Sequence, residues 1–278
     1  MYGCYASISD LKGILGISST TDDVAMRKIL ESASRSIDNY TNRSFTIQSA
    51  TKYFDGDRTL WLPDLLSITT LKTDEDGDAT FENTFATTDY IAYGHGIEDK
   101  LNTYPRTHLE ISEDSDYGSF ASGVKKGVEI DGLWGYADSI APYTDSGTVL
   151  DGTLTVGATA VAVLSVTPFS PGQTILVQSE QMYIESIATT VLTVVRGVNG
   201  TTAATHASAL AVSIYQYPSD IRQACLDLSV ALYQNRAKQG LQSERIGDYS
   251  YTIAGTSLGK SMVESILGNI HSYKRLRF

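Results

Sequence analysis

The most regular hydrophobic pattern of the chain lies between residues 218 and 240. Apolar side chains recur there in alternating steps of four and three residues, at Ile221, Cys225, Leu228 and Leu232. Ser219 suits an N-cap, and Gly240 suits a helix end because glycine reaches positive φ without steric cost. The pattern predicts an amphipathic helix with one buried face and a length on the order of 30 Å.

Two further stretches show the same helical period. One begins near Thr21 and carries a stripe of apolar residues, at Met26, Leu30, Ala33, Ile37 and Tyr40. The other lies near the end of the chain, with apolar residues at Val263, Ile266, Leu267 and Ile270. A shorter capped helix is predicted at 9–16. We expect the first stripe to pack against the apolar face of the helix after residue 218, in an α-helical layer.

Between these helices the period changes to that of β-strands. Short apolar and alternating segments separated by turns predict strands near 52–54, 59–62, 66–71, 90–93, 109–111 and 128–136. The stretch 141–217 differs in composition, since threonine, valine, alanine and glycine dominate it and Arg196 is its only lysine or arginine. Six short predicted strands within it favour a small β-barrel or sandwich. We therefore predict an inserted β domain at 141–217 and a core domain formed by 1–140 and 218–278.

The charge is unevenly distributed. The 278 residues carry a formal net charge of −11 at pH 7, with −12 in residues 1–147, −2 in 148–217 and +3 in 218–278. This balance argues against a general nucleic-acid binder, because the phosphate backbone attracts lysine and arginine. The one basic stretch ends the chain, with Lys274, Arg275 and Arg277.

The sequence offers little sign of catalytic, metal or cofactor chemistry. The two cysteines, Cys4 and Cys225, have no zinc-type spacing, and Cys225 is expected to be a buried small hydrophobe. Asp74, Asp76 and Asp78 alternate as in calcium loops, but Gly77 comes too early and no glutamate follows at the right place, which favours a solvated turn. The histidines at 95, 108, 206 and 271 are expected at the surface or in loops.

No phosphate loop, nucleophile elbow, zinc-protease motif or dinucleotide fingerprint occurs, so we predict that the protein is not an enzyme and has no cofactor. A cell-wall hydrolase is the third alternative after the two considered below. The N-terminus lacks a basic region followed by an apolar run, and no run of about 18 apolar residues occurs. We therefore expect neither a signal peptide nor a membrane span.

The residues after the long helix carry a family resemblance. The segment 242–251, Gln-Ser-Glu-Arg-Ile-Gly-Asp-Tyr-Ser-Tyr, resembles the segment that follows the long helix in head–tail connector (adaptor) proteins of tailed phages. The start of the preceding helix at 221–225 and its end at 233–236 look like the same family. The resemblance covers 7–140 loosely and 218–278 more tightly. It implies an α+β fold with a helical connector core (an N-terminal helix, the long helix and a C-terminal helix), a strand-rich middle and the inserted β domain.

The resemblance also implies a role in the neck of the virion. Such a protein is made in the host cytoplasm and assembles into a ring, twelvefold like the portal. The ring docks on the portal, extends the DNA channel and forms a platform for the next neck or tail protein, which is a tail terminator, stopper or tail tube. Genomic DNA passes through the lumen without sequence-specific binding.

Two sets of residues are candidates for these contacts. The terminal segment is either a solvated tail or a portal-docking element, because bulky apolar residues alternate with cations in it: Lys274, Arg275, Leu276, Arg277 and Phe278. The apolar faces of the two long helices are candidates for packing between subunits as well as within one: Ile221, Cys225, Leu228, Leu232, Met26, Leu30 and Ile37.

The inserted domain supports an alternative of a different class. The segment 196–202, Arg-Gly-Val-Asn-Gly-Thr-Thr, with His206 downstream, resembles a small β module of phage structural proteins. The alternative function is a carbohydrate- or receptor-binding virion protein that acts through residues 148–217, with the helices as its anchor.

Overall fold

The computed structural model of the chain describes residues 2–94, 104–236, 243–246, 249–252 and 257–275. The described residues are mostly β, with two six-stranded antiparallel sheets, a two-stranded hairpin and four α-helices. Only 23% of the structure is helical, so the predicted α+β fold with a helical connector core is wrong. The physical reason is that each strand-rich stretch buries a hydrophobic core of its own, instead of packing onto a core formed by the helices.

The chain packs into two compact units. One contains Ser44–Pro142 and Asn199–Thr202, and the other contains Tyr2–Arg43, Tyr143–Val198 and the described residues from Ala203 onwards. The helices therefore share a unit with the strands of the predicted insertion, and the earlier strands form a unit without them. The predicted division into a core domain at 1–140 and 218–278 and an inserted domain at 141–217 stays a prediction.

The first unit is a six-stranded antiparallel sheet. Its strands are β1 (Gln48–Phe54), β2 (Thr59–Thr73), β3 (Asn83–Thr84), β4 (Tyr90–Gly94), β5 (Arg106–Ile111) and β6 (Val128–Trp134). The order across the sheet is β1-β6-β2-β5-β4, and β3 pairs with β2. Strand β6 alternates strictly, with Val128, Ile130 and Trp134 buried. Its inward residues join leucines of β2 and Leu109 of β5 in one core.

The second unit contains the helices. They are α1 (Ile8–Leu15), α2 (Asp23–Thr41), α3 (Ser219–Asn235) and α4 (Ser257–Gly268). Ser7 caps α1 by accepting a hydrogen bond from the backbone N–H of Asp10, and Gly16 ends it with a φ of 67°. Pro218, not Ser219, is the N-cap residue of α3. Gly240, predicted to end that helix, lies outside the described residues.

The helices α2 and α3 pack against each other, which confirms that prediction. Their buried contact includes polar atoms, since the Cys225 sulfur lies 3.5 Å from the hydroxyl of Ser34. In the part of the chain that the structure describes, no helix is both long and apolar enough to cross a membrane.

The second unit also contains the other large sheet. Its strands are β7 (Tyr143–Val149), β8 (Ala160–Ala162), β9 (Thr174–Val177), β10 (Glu180–Ala188), β11 (Val191–Val195) and β12 (Ala211–Tyr215). They form one sheet in the order β7-β12-β9-β10-β11-β8, so the expected closed barrel or two-sheet sandwich is wrong. Its core combines β-branched residues such as Val161, Ile175 and Val194 with leucines, a methionine and a phenylalanine. Between α3 and α4, the strands β13 (Ser243–Ile246) and β14 (Tyr249–Thr252) pair only with each other among the described residues.

Candidate functional site

The helix pair brings together most of the predicted packing residues. Six of them are at most 3% exposed: Met26, Leu30 and Ile37 of α2 with Ile221, Cys225 and Leu228 of α3. Leu232 is 42% exposed. The six buried residues therefore stabilise the chain itself, and Leu232 remains accessible to a neighbouring molecule. Packing between subunits stays a prediction.

Polar contacts join the start of α2 to the end of α3. The carboxylate of Asp22 accepts hydrogen bonds from the Tyr233 hydroxyl at 2.6 Å and from Nη2 of Arg236 at 2.7 Å. The Arg236 guanidinium also lies 3.9 Å from the centroid of the Tyr233 ring. The hydrogen bonds from Tyr233 and Arg236 lower the pKa of Asp22. These contacts show that the two helices run antiparallel.

The described part of the C-terminal segment is bound to the other end of α2. The backbone N–H of Arg275 donates to the carbonyl of Thr41 at 2.7 Å, and Asn42 Nδ2 donates to the Arg275 carbonyl at 3.0 Å. Arg43 Nε donates to the carbonyl of Tyr273 at 2.6 Å. The last carbonyls of a helix have no partner within it, so the Arg275 N–H satisfies one that would otherwise need water.

The cation of Lys274 lies near the same helix end. Its Nζ is 5.4 Å from the centroid of the Tyr40 ring, and the Tyr40 hydroxyl is 3.1 Å from Nδ1 of His271. A positive charge near a helix C-terminus is favourable, because the helix dipole is negative there. Lys274 is exposed and Arg275 is half-buried. Leu276, Arg277 and Phe278 lie outside the described residues, so docking through 274–278 stays a prediction.

The acidic turn brings its carboxylates close together. One ligand atom from each of Asp74, Asp76, Asp78 and Glu82 lies within 4.8 Å of the others. Asp74 is buried and accepts hydrogen bonds from the backbone N–H groups of Gly77 at 2.7 Å and Ala79 at 2.8 Å. Burial opposes its charged form, but these hydrogen bonds outweigh it and lower the pKa of Asp74. The hydrogen bonds from Gly77 and Ala79 fix the Asp74 carboxylate within the turn, and the solvated turn stays a prediction.

The sequence did not reveal a buried ionic network in the second unit. Glu180 accepts hydrogen bonds from Arg196 Nε at 2.6 Å and Nη2 at 2.7 Å, and the backbone N–H groups of Gly197 and Ala204 donate to it at 3.0 Å each. His206 Nε2 lies 2.8 Å from the same carboxylate. Burial opposes the charge on Glu180, but the bonds from Arg196, Ala204, His206 and Gly197 hold its pKa at about 2.

Arg196 extends this network into two loops. It donates to the backbone carbonyls of Thr155, Ala158 and Ala204 at distances of 2.6 to 2.9 Å. His206, expected at the surface or in a loop, lies in the loop before β12 but is 1% exposed. The sequence signal that pointed to this network was Arg196, the only lysine or arginine in an apolar, strand-rich stretch. A cation in such a stretch is rarely buried unless it is paired with an anion.

The cysteines and the remaining histidines take no part in the Glu180 network. Burial raises the pKa of the Cys4 thiol to about 12, so it is protonated at neutral pH. Cys225 is fully buried, which confirms its prediction as a small hydrophobe. His108 lies in β5 and His271 is exposed, and His95 lies outside the described residues.

Comparison with known proteins gives no relative. A scan against protein-family models finds no match. A search of curated proteins likewise finds none. The resemblance to connector proteins thus remains a resemblance of short segments.

Proposed function

We propose that the chain is a structural protein of the neck of a tailed bacteriophage virion. Many copies form a ring, twelvefold like the portal, that docks on the portal and extends the DNA channel. The ring provides the platform for the next neck or tail protein, while genomic DNA passes through the lumen without sequence-specific binding. The protein performs no catalysis in this role.

The observation that carries the proposal is the fixed position of the basic C-terminal segment. The backbone of residues 273–275 is hydrogen-bonded to the end of α2 at Thr41, Asn42 and Arg43. This argues against a solvated tail up to Arg275, since a frayed terminus makes few such bonds. The segment instead presents the exposed cation of Lys274 from a rigid helix end, which suits an interface with an acidic partner.

The exposed apolar residues of the helix pair support assembly into a ring. Val24 of α2 is 62% exposed and Leu232 of α3 is 42% exposed. Each neighbour interface in a stable ring needs more than about 1,000 Å² of buried surface, so these residues would form only part of the contact. Binding to a template compensates for a weak subunit contact, which fits a protein that assembles on the portal.

Light scattering of the purified chain, alone and mixed with portal rings of its phage, tests the proposal. We expect the mixture to contain about one copy per portal subunit. Deletion of residues 274–278 and the single substitution Lys274→Glu should both weaken binding. Lys126→Glu is the matched control, because Lys126 is an exposed lysine remote in sequence from both the tail and the helix pair. Full-length chain that ignores portal rings would contradict the proposal, and binding unchanged by the deletion would exclude docking through the tail.

The structure gives no specific support to the alternative of carbohydrate or receptor binding through 148–217. All residues of that range are described, and three of its four aromatic side chains, Phe169, Tyr183 and Tyr215, are at most 7% exposed. The fourth, Tyr217, packs at a tilt against the rings of Tyr5 and Tyr215. The range thus lacks the exposed rings on which sugars usually stack.

A further inference from the structure

The sheet of the first unit has a row of three aromatic rings on its outer face. Trp61 of β2 is paired with His108 of β5, and His108 is paired with Tyr93 of β4. The ring centroids of Trp61 and His108 are 4.8 Å apart, and those of His108 and Tyr93 are 4.7 Å apart with nearly parallel planes. The neighbouring residues Leu60 and Leu109 face the core, so the row lies on the opposite face.

Trp61 ends the row with an open ring face. It is 71% exposed, the largest exposed fraction among the described large hydrophobic residues. Strand β6 is the neighbour of β2 on the side away from β5, but the pairing of these strands begins at Leu65, opposite Trp134. Among the described residues, no strand partner therefore lies opposite Trp61 on that side. The exposed indole is continued by the half-buried rings of His108 and Tyr93, and a contiguous aromatic surface of this kind is typical of interaction sites.

Groups of opposite charge flank the row. Arg106, His108 and Glu110 alternate along β5, so they lie on the same face of the sheet. Arg106 is positioned by a hydrogen bond from Nη1 to the carbonyl of Ala92 at 2.9 Å. The half-exposed carboxylate of Glu110 forms no hydrogen bond or ion pair within the described part of the chain. The platform thus offers a hydrogen-bond donor on one side and a free acceptor on the other.

We propose that this platform binds a neutral glycan, with one pyranose ring stacked on Trp61, hydroxyl groups donating to Glu110 and hydroxyl oxygens accepting from Arg106. The C–H groups of a sugar ring suit the electron-rich face of an indole. A sugar hydroxyl both donates and accepts, so it satisfies Arg106 and Glu110 together. A nucleic acid fits poorly, because residues 1–147 carry a net charge of −12. This site is independent of portal docking.

Titration of the full-length chain with maltohexaose, cellohexaose and chitohexaose tests the proposal. We expect at least one of them to bind and to protect tryptophan fluorescence from acrylamide quenching. Trp61 is the accessible reporter, and Trp134 is a buried reference at 2% exposure. By calorimetry, Trp61→Ala should weaken binding by about tenfold or more, since it removes the stacking surface. Glu110→Gln should weaken it less.

Tyr53→Ala is the matched control, because Tyr53 is a 51% exposed aromatic residue on β1 of the same sheet. It should leave binding unchanged. Failure of all three oligosaccharides to bind would overturn the proposal, as would binding that Trp61→Ala does not affect. Protection of Trp61 by oligodeoxythymidylate or an arginine-rich peptide, but by none of the sugars, would also overturn it and assign the platform to that other ligand.

Discussion

The two large sheets have the same number of strands, and both are antiparallel. They differ in where their polar and aromatic groups lie: one sheet buries such groups in its interior, and the other carries them on its outer face. The β7–β12 sheet buries a carboxylate, a guanidinium and an imidazole in one network, at Glu180, Arg196 and His206. The β1–β6 sheet has an apolar core and displays Trp61, His108 and Tyr93 outside. Buried charges in the first case position backbone loops, whereas in the second case the exposed ring of Trp61 is accessible to another molecule.

The difference teaches that similar sheets can serve different purposes in one chain. The loops of the β7–β12 sheet are held by the hydrogen bonds of Arg196 to Thr155, Ala158 and Ala204. Its network is therefore a structural device. The β1–β6 sheet instead packs apolar side chains such as Phe120 and Trp134 into its core.

Loss of the buried carboxylate should have the largest effect. Glu180→Gln removes the counter-charge of Arg196, whose side chain is 6% exposed. Breaking a buried ion pair on one side leaves an uncompensated charge, which typically costs about 3–5 kcal/mol. We expect a decrease of this size in the free energy of unfolding measured with urea. Hydrogen exchange should show the loss of protection in peptides from β9 to β11.

The matched control is Glu185→Gln, on the same strand but exposed. It should change the free energy of unfolding by less than about 0.5 kcal/mol. Equal effects of the two substitutions would show that the network contributes no more than a surface carboxylate.

Acidification should weaken the β7–β12 sheet through the same group. The folded-state pKa of Glu180 is about 2, below the ordinary value of 4.5. Because the unfolded chain binds the proton more readily, the stabilisation is fully present above about pH 4.5 and is lost as the pH falls toward 2. It amounts to about 3 kcal/mol at most. Urea unfolding of the chain and of Glu180→Gln across this range measures it, and identical pH profiles would contradict the prediction.

A close backbone approach is the corresponding weak point of the β1–β6 sheet. A Cβ added to Gly132 of β6 would lie 2.2 Å from the carbonyl oxygen of Ser67 in β2. Gly132→Ala should therefore force the two strands apart, at a cost of about 1–3 kcal/mol in urea unfolding. Gly118→Ala is the control in the same unit, because its added Cβ would meet nothing within 4 Å. A neutral Gly132→Ala would show that β2 and β6 separate easily there.

The helices were predictable because their periods are local. The steps of four and three from Met26 and from Ile221 gave the buried faces of α2 and α3, and the glycine at position 16 gave the end of α1. The cap of α3 was missed by one residue, since Pro218 supplies the extended backbone that was assigned to Ser219. The composition shift at residue 141 lies beside the boundary between the units at Pro142.

The assembly of strands was not predictable from local pattern. Register between strands such as β2 and β6 depends on bulges at Leu65 and Ile68, which leave no periodic signal in sequence. The ionic network joins residues 16 and 26 positions apart, at Glu180, Arg196 and His206. The aromatic row depends in the same way on the pairing of β2, β5 and β4, so neither site could be found before the topology was known.

The smallest effect on stability is expected from the most exposed ring. Trp61→Ala removes one stacking contact with His108 and little buried surface, because Trp61 is 71% exposed. The free energy of unfolding in urea should fall by less than about 1 kcal/mol. A small decrease in the free energy of unfolding together with abolished glycan binding would show that Trp61 serves binding, while other residues of the same sheet stabilise the fold. A loss as large as that of Gly132→Ala would instead make Trp61 a structural residue, and the contrast between the two sheets would then disappear.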